Sequence, residues 1–107
     1  MSRTDPFWAA VAQQLEELRS AKSADDVLRI LSPERNPYVT VLGREPSASA
    51  DAFFAGSGGE DNVETALRDT GWQFVWMRAG YWWAMRAPNG DVITYVEGDI
   101  YRGDRKD

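Results

Sequence analysis

The 107-residue chain contains no cysteine and no histidine, and its only lysines are Lys22 and Lys106. Without cysteine there are no disulfides, no thiolate nucleophile and no cysteine-held zinc or iron–sulfur centre. Without histidine the commonest general base and the commonest transition-metal ligand are both gone. Two lysines leave little room for serine–lysine chemistry. No apolar run approaches the roughly 18 residues of a membrane span. The opening Met1-Ser2-Arg3-Thr4-Asp5-Pro6 also lacks the apolar stretch of a secretory leader. The expectation is a soluble, cytoplasmic protein with no cofactor and no membrane partner.

What is present suits one domain: apolar residues make up 43% and charged residues 27%. The net charge of −5 is unevenly spread. Residues 33–71 carry 3 basic and 7 acidic side chains, whereas residues 72–107 carry 5 of each. No basic stripe exists to neutralise phosphates, so direct nucleic-acid binding is not expected.

The N-terminal third reads as a helical hairpin. Asp5 is placed to cap a first helix with Pro6 in its first turn, and Phe7, Trp8, Val11, Leu15 and Leu18 recur at helical spacing. Ser23 caps a second helix, with Asp26 in the capping-box position and Val27, Leu28, Ile30 and Leu31 facing inward. Pro33-Glu34-Arg35-Asn36-Pro37 is turn chemistry. Tyr38–Leu42 reads as a short extra strand, and Ser47–Gly56 as a turn or two of helix capped by Ser49. Gly56-Ser57-Gly58-Gly59 forms a joint before a third helix. That helix is capped by Asp61 and Glu64, buries Val63, Ala66 and Leu67, and stops at Gly71.

From Trp72 the pattern changes to three short aromatic and β-branched runs, Trp72–Arg78, Tyr81–Ala87 and Val92–Glu97. Ala79-Gly80 and Asn89-Gly90 separate them, the latter being the preferred pair of a two-residue hairpin turn. The predicted fold is α+β: a helical hairpin and a third helix packed on a three-stranded antiparallel β-meander. A domain over residues 1–98 precedes a polar tail over 99–107.

Two tight hairpins would pair Arg78 with Tyr81, Trp76 with Trp83, Phe74 with Met85, Met85 with Thr94 and Trp83 with Val96. That set forms the core face. The opposite face then carries Met77, Trp82, Arg86, Ile93 and Tyr95, a mixture of aromatics and arginine of the kind enriched at protein interfaces. Met77, Trp82, Arg86 and Tyr95, with Trp76 beside them, are the candidate contact residues of a partner, dimer or ligand surface. The competing reading is that the Phe53–Phe54 segment or the N-terminal helix packs over this face as more core.

No chemistry competes with that surface. Gly56-Ser57-Gly58-Gly59 lacks the lysine and hydroxyl of a phosphate loop and is followed by Glu60, Asp61 and Glu64. Glu97, Asp99 and Asp104 match no calcium loop, and no carboxylate pair stands out for acid–base work. No catalytic, cofactor-binding or metal-binding residue is assigned.

Several stretches resemble small accessory proteins of actinobacterial phages of the mycobacteriophage type. They are Asp5-Pro6-Phe7-Trp8-Ala9-Ala10-Val11, Ser23-Ala24-Asp25-Asp26-Val27, Ala50–Gly56, Ala87–Asp91 and Ile93–Asp99. The resemblance implies the host cytoplasm as compartment and carries no catalytic residues with it. Residues and resemblance together lead to the expectation of a non-enzymatic protein that binds a host or phage protein. A homodimer, a small-molecule-binding domain and a histidine-free enzyme are the alternatives.

Overall fold

A computed structural model describes residues 6–45, 50–54 and 59–105, and for residues 59–62 the backbone alone. The calls on Asp5, on Ser47 to Ser49 and on Gly56-Ser57-Gly58, and the side chain of Asp61, lie outside the described residues.

The first helix, α1, runs Pro6–Leu18, and α2 runs Ala24–Ile30. Ser23 caps α2 by accepting a hydrogen bond from the Asp26 N–H. Asp26 reaches one residue further back than a capping box requires and accepts from the Lys22 N–H at 2.9 Å. Asp91, from a distant hairpin loop, accepts from the Ala24 N–H at 3.0 Å, so two side chains satisfy the orphan donors of this helix start.

Tyr38–Leu42 is not a strand. A 3-10 turn over Pro33–Arg35 leads into a helical turn, α3, over Pro37–Thr40. Asn36 is its N-cap, accepting from the Tyr38 N–H at 2.9 Å, and Pro37 occupies the first turn. An Asn-Pro pair at a helix start outweighs the β-propensity of Tyr-Val-Thr-Val.

Residues 50–54 are not helical either. Ala52–Phe53 form a short strand, β1, with its backbone committed on both sides. Ala52 and Phe53 pair with Ile100 and Asp99, while the Phe53 N–H donates to the Leu31 carbonyl at 2.8 Å.

The helix α4 spans Gly59–Arg68, so it begins two residues before the expected cap at Asp61. It buries Val63, Ala66 and Leu67. Its end is closed by paired bonds, Gly71 N–H to Arg68 and Trp72 N–H to Leu67, the Schellman arrangement.

Four further strands follow: β2 Gln73–Ala79, β3 Trp82–Arg86, β4 Val92–Val96 and β5 Asp99–Arg102. The sheet is antiparallel and five-stranded, in the order β1-β5-β4-β3-β2. The α+β class and the antiparallel meander are present, but the meander is extended by two strands. Asp99–Arg102, read as the start of a polar tail, lies inside the sheet and buries Ile100 completely.

The helices cover one face of this sheet. Leu18, Val27, Leu31, Val63 and Leu67 meet Trp83, Met85, Ile93, Tyr95 and Ile100 in one apolar cluster. Side chains fix the helical layer in place. Trp72 Nε1 donates to the Ala21 carbonyl at 2.9 Å, and Gln14 Nε2 donates to the Ile30 carbonyl at 3.1 Å.

The turn between β4 and β5 is built on Glu97, at φ +50°, and Gly98, at φ +95°. It is the two-residue hairpin with both central residues left-handed that the sequence suggested for Asn89-Gly90. Glu97 is the only non-glycine residue with positive φ among the described residues, and a glutamate gains nothing locally from that conformation. Glu97→Asn is therefore expected to raise stability by about 1 kcal/mol, read as a higher midpoint of urea denaturation with unchanged slope.

Candidate functional site

The sheet's second face carries no helix, and its composition depends on the loop between β3 and β4. Ala87-Pro88-Asn89-Gly90 forms a turn closed by the Gly90 N–H on the Ala87 carbonyl, and the Ala87 N–H donates to the Asp91 carbonyl at 2.7 Å. Pro88 takes the second position of the turn, where its fixed φ fits, and Gly90 takes the left-handed position at φ +99°. The loop thus contains three residues, Pro88-Asn89-Gly90, and not the two of the expected Asn89-Gly90 turn.

One extra residue moves the register of β4 by one. Trp83 pairs with Tyr95, Ala84 with Thr94 and Met85 with Ile93. A one-residue slip exchanges every side chain between faces. Ile93 and Tyr95 therefore point into the core, and Val92, Thr94 and Val96 point out. Tyr95, expected as a contact residue, is 1% exposed, with its ring stacked 4.8 Å from that of Trp83 and 3° from parallel. Tyr95 is a core residue.

The other strand boundary moves too. Ala79 pairs with Trp82 around a Gly80-Tyr81 loop, and β2 then absorbs two irregularities, between Met77 and Ala79 and between Phe74 and Trp76. Phe74 still faces Met85 as the pleat count predicted, but Trp76 now faces Ala84 and so joins the helix-free side. Met77, opposite Trp83, sits at the rim of the helical side and is 45% exposed. Of the five candidates, Trp76, Trp82 and Arg86 share the open face.

Trp76 and Trp82 meet edge to face with ring centroids 5.8 Å apart. The Arg78 guanidinium lies over both, 5.0 Å from the Trp82 centroid and 5.8 Å from that of Trp76. Such cation–π contacts contribute about 0.5–1 kcal/mol at exposed sites. The Trp82 indole N–H is shut in without an acceptor, a polar group that costs free energy until one reaches it. Across the sheet, Arg105 lies 4.6 Å over the ring of Tyr101, which is paired with Thr94.

Residues 103–105, expected as part of the polar tail, complete the face. The Gly103 N–H bonds to the Val92 carbonyl, and at φ +92° the chain then turns across the sheet. A side chain would oppose that backbone conformation. Thr94 Oγ1 donates to the Gly103 carbonyl at 2.6 Å and accepts from the Arg105 N–H at 2.8 Å. Trp76 Nε1 donates to Asp104 at 2.9 Å. This short segment lies over the small residues Ala84 and Thr94, both fully buried, between the aromatic flanks Trp76 and Tyr101.

The arginines divide between the two sides. Arg19, Arg29, Arg35, Arg68 and Arg102 each pair with a carboxylate among or beside the helices, Arg35 gripping Glu17 with two bonds of 2.9 Å. That grip holds the Glu17 carboxyl below the usual range. Arg78, Arg86 and Arg105, on the helix-free face, form no ion pair among the described residues, and neither does Arg44, which lies over the Tyr38 ring beside α3.

Its carboxylates are Asp104, held by Trp76, and Asp99, at the corner next to the Glu97 turn. Among the described residues no three acidic side chains gather closely enough to hold a metal ion. No described helix is long and apolar enough to cross a membrane. Comparison with protein-family models, with curated proteins and with solved structures yields no match.

Burial raises the pKa of Asp99, and the neighbouring Glu97 adds to the rise. The folded state therefore holds this proton more tightly than the unfolded chain, where the group titrates near its usual 3.8. The contribution of Asp99 is fully present below 3.8 and is lost as pH rises through the folded-state value. Asp99→Asn should accordingly be more stable than wild type at neutral pH. Urea midpoints measured on both proteins should converge as pH is lowered below 3.8.

Proposed function

We propose that this chain is a non-enzymatic binding protein and that the helix-free sheet face docks a partner protein. The observation that carries the reading is the sorting of arginines. Arg19, Arg29, Arg35, Arg68 and Arg102 are neutralised by carboxylates, and Arg44 lies over the Tyr38 ring. The three on the open face, two of them over Trp76, Trp82 and Tyr101, have no partner carboxylate among the described residues. Tryptophan, tyrosine and arginine are the residue types that dominate binding energy at protein interfaces. The contact set is revised accordingly: Trp76, Trp82 and Arg86 stay, Arg78, Tyr101 and Arg105 join them, and Met77 and Tyr95 leave.

The likeness to phage accessory proteins gives such a binder a host or phage protein as its target and the host cytoplasm as its compartment. A nucleic-acid role is less well supported. The two tryptophans meet edge to face with Arg78 over both, so the guanidinium already takes a ring face on which a base would stack.

Site-specific photo-crosslinking in the native cell tests the reading. A photoreactive residue at Val96, opposite Trp82 on the open face, should yield a discrete protein adduct. The same residue at Gln13, exposed on α1, should not. Trp82→Ala should reduce the Val96 adduct at least about tenfold, as removal of a central anchor of roughly 1.4 kcal/mol or more would. Equal adducts from both positions would contradict the assignment of the face.

A further inference from the structure

The way residues 103–105 lie on the sheet indicates what the open face is shaped to hold. We infer that the slot between Trp76 and Tyr101 is a peptide groove, occupied in this chain by its own Gly103-Asp104-Arg105. Its external ligand is an extended acidic segment of the partner protein, which displaces them. The inference rests on the docking reading above and names the chemistry of the partner.

The self-contacts define a recognition pattern. The floor is made of Ala84 and Thr94, small enough for a backbone to lie directly on the sheet. Thr94 supplies one hydroxyl that serves a carbonyl and an N–H two residues apart. Neither bond reads a side chain. The side-chain selection comes from Trp76, whose indole N–H holds a carboxylate. An indole N–H donates and cannot accept, so a lysine or arginine at that position would find no partner.

The charges around the groove point the same way. Arg78 lies over the two tryptophans, and Arg86 lies on the neighbouring strand. The one carboxylate inside the groove is Asp104, which belongs to the occupant. Asp99 and Glu97 sit outside it, at the β4–β5 corner. Lifting residues 103–105 off the sheet removes the Asp104 carboxylate together with Arg105. It leaves the Trp76 N–H without its acceptor, on the same face as Arg78 and Arg86, which form no ion pair among the described residues. An acidic segment supplies an acceptor to the indole and a counter-charge to the two arginines. The groove's own occupant holds apparent affinity down, because a partner binds only the fraction of molecules in which the groove is open.

The test is an array of extended eight-residue peptides in acidic, neutral and basic series. It is probed with the full-length wild type, Asp104→Ala, Arg78→Glu and Trp82→Ala. The Trp76 indole N–H resonance reports directly whether residue 104 has left the groove. The expected result is binding confined to the acidic series, tightened about tenfold by Asp104→Ala and lost in Arg78→Glu.

Binding of the neutral or basic series that still requires Trp82 would overturn the acidic groove and leave the docking face standing. Binding insensitive to Trp82 would remove the face itself. Silence from every series with Asp104→Ala, while the indole resonance shows residue 104 displaced, would overturn the groove. Salt-dependent capture of labelled oligo-dT or oligo-U in place of peptides would also overturn it, in favour of a single-stranded nucleic acid.

Discussion

Trp83 and Tyr95 lie ring on ring 4.8 Å apart at the centre of the sheet, and the register that brings them together determines both faces of the molecule. With both rings turned toward the helices, the largest fully buried side chains of the sheet join one cluster with Leu18, Leu31 and Leu67. Aromatic pairs of this kind contribute about 0.5–1.5 kcal/mol beyond the area they bury. The larger effect is on arrangement. Once Tyr95 faces inward, Thr94 must face outward, and Thr94 is the residue on which residues 103–105 are fastened.

The loop that sets this register is short and stiff. Pro88 fixes the entry to the turn, Gly90 supplies its left-handed exit, and Asp91 leaves the loop to cap α2. The same five-residue stretch, Ala87–Asp91, therefore chooses the face of every β4 side chain and anchors the helical layer against the sheet. Its local choices and the global packing agree, which is the condition for one well-defined fold.

Much of the architecture was legible in the sequence. Pro6 and the periodic stripe through Leu18 located α1, Ser23 located α2, and the aromatic runs after Trp72 located three strands. Two local misreadings had signals that could have corrected them. Asn36-Pro37 is a helix start, and Ala87-Pro88-Asn89-Gly90 places proline and glycine where a type I turn wants them. The strands β1 and β5 were less accessible. A two-residue strand has no periodicity to read, and Asp99-Ile100-Tyr101-Arg102 looks like a charged tail until Ile100 is given a partner in Ala52.

The candidate site was legible by composition more than by position. Aromatics and arginine drew attention to the sheet, and Trp82 and Arg86 lie on the face opposite the helices as pleat counting expected. The placement of Tyr95 failed because pleat counting turns an error in loop length into an exchange of faces, and those of Trp76 and Met77 failed because β2 carries two register irregularities. The role of residues 103–105 was hidden for a different reason. Their order comes from Thr94 and Trp76, contacts that span 9 to 28 positions of the chain, so no local pattern announces them.

Interstrand nuclear Overhauser contacts test this account most directly, because everything above follows from the register of β4. The account predicts contacts between the Trp83 and Tyr95 rings and between Ala84 and Thr94. Contacts pairing Met85 with Thr94, with the Tyr95 ring exposed to solvent, would contradict it.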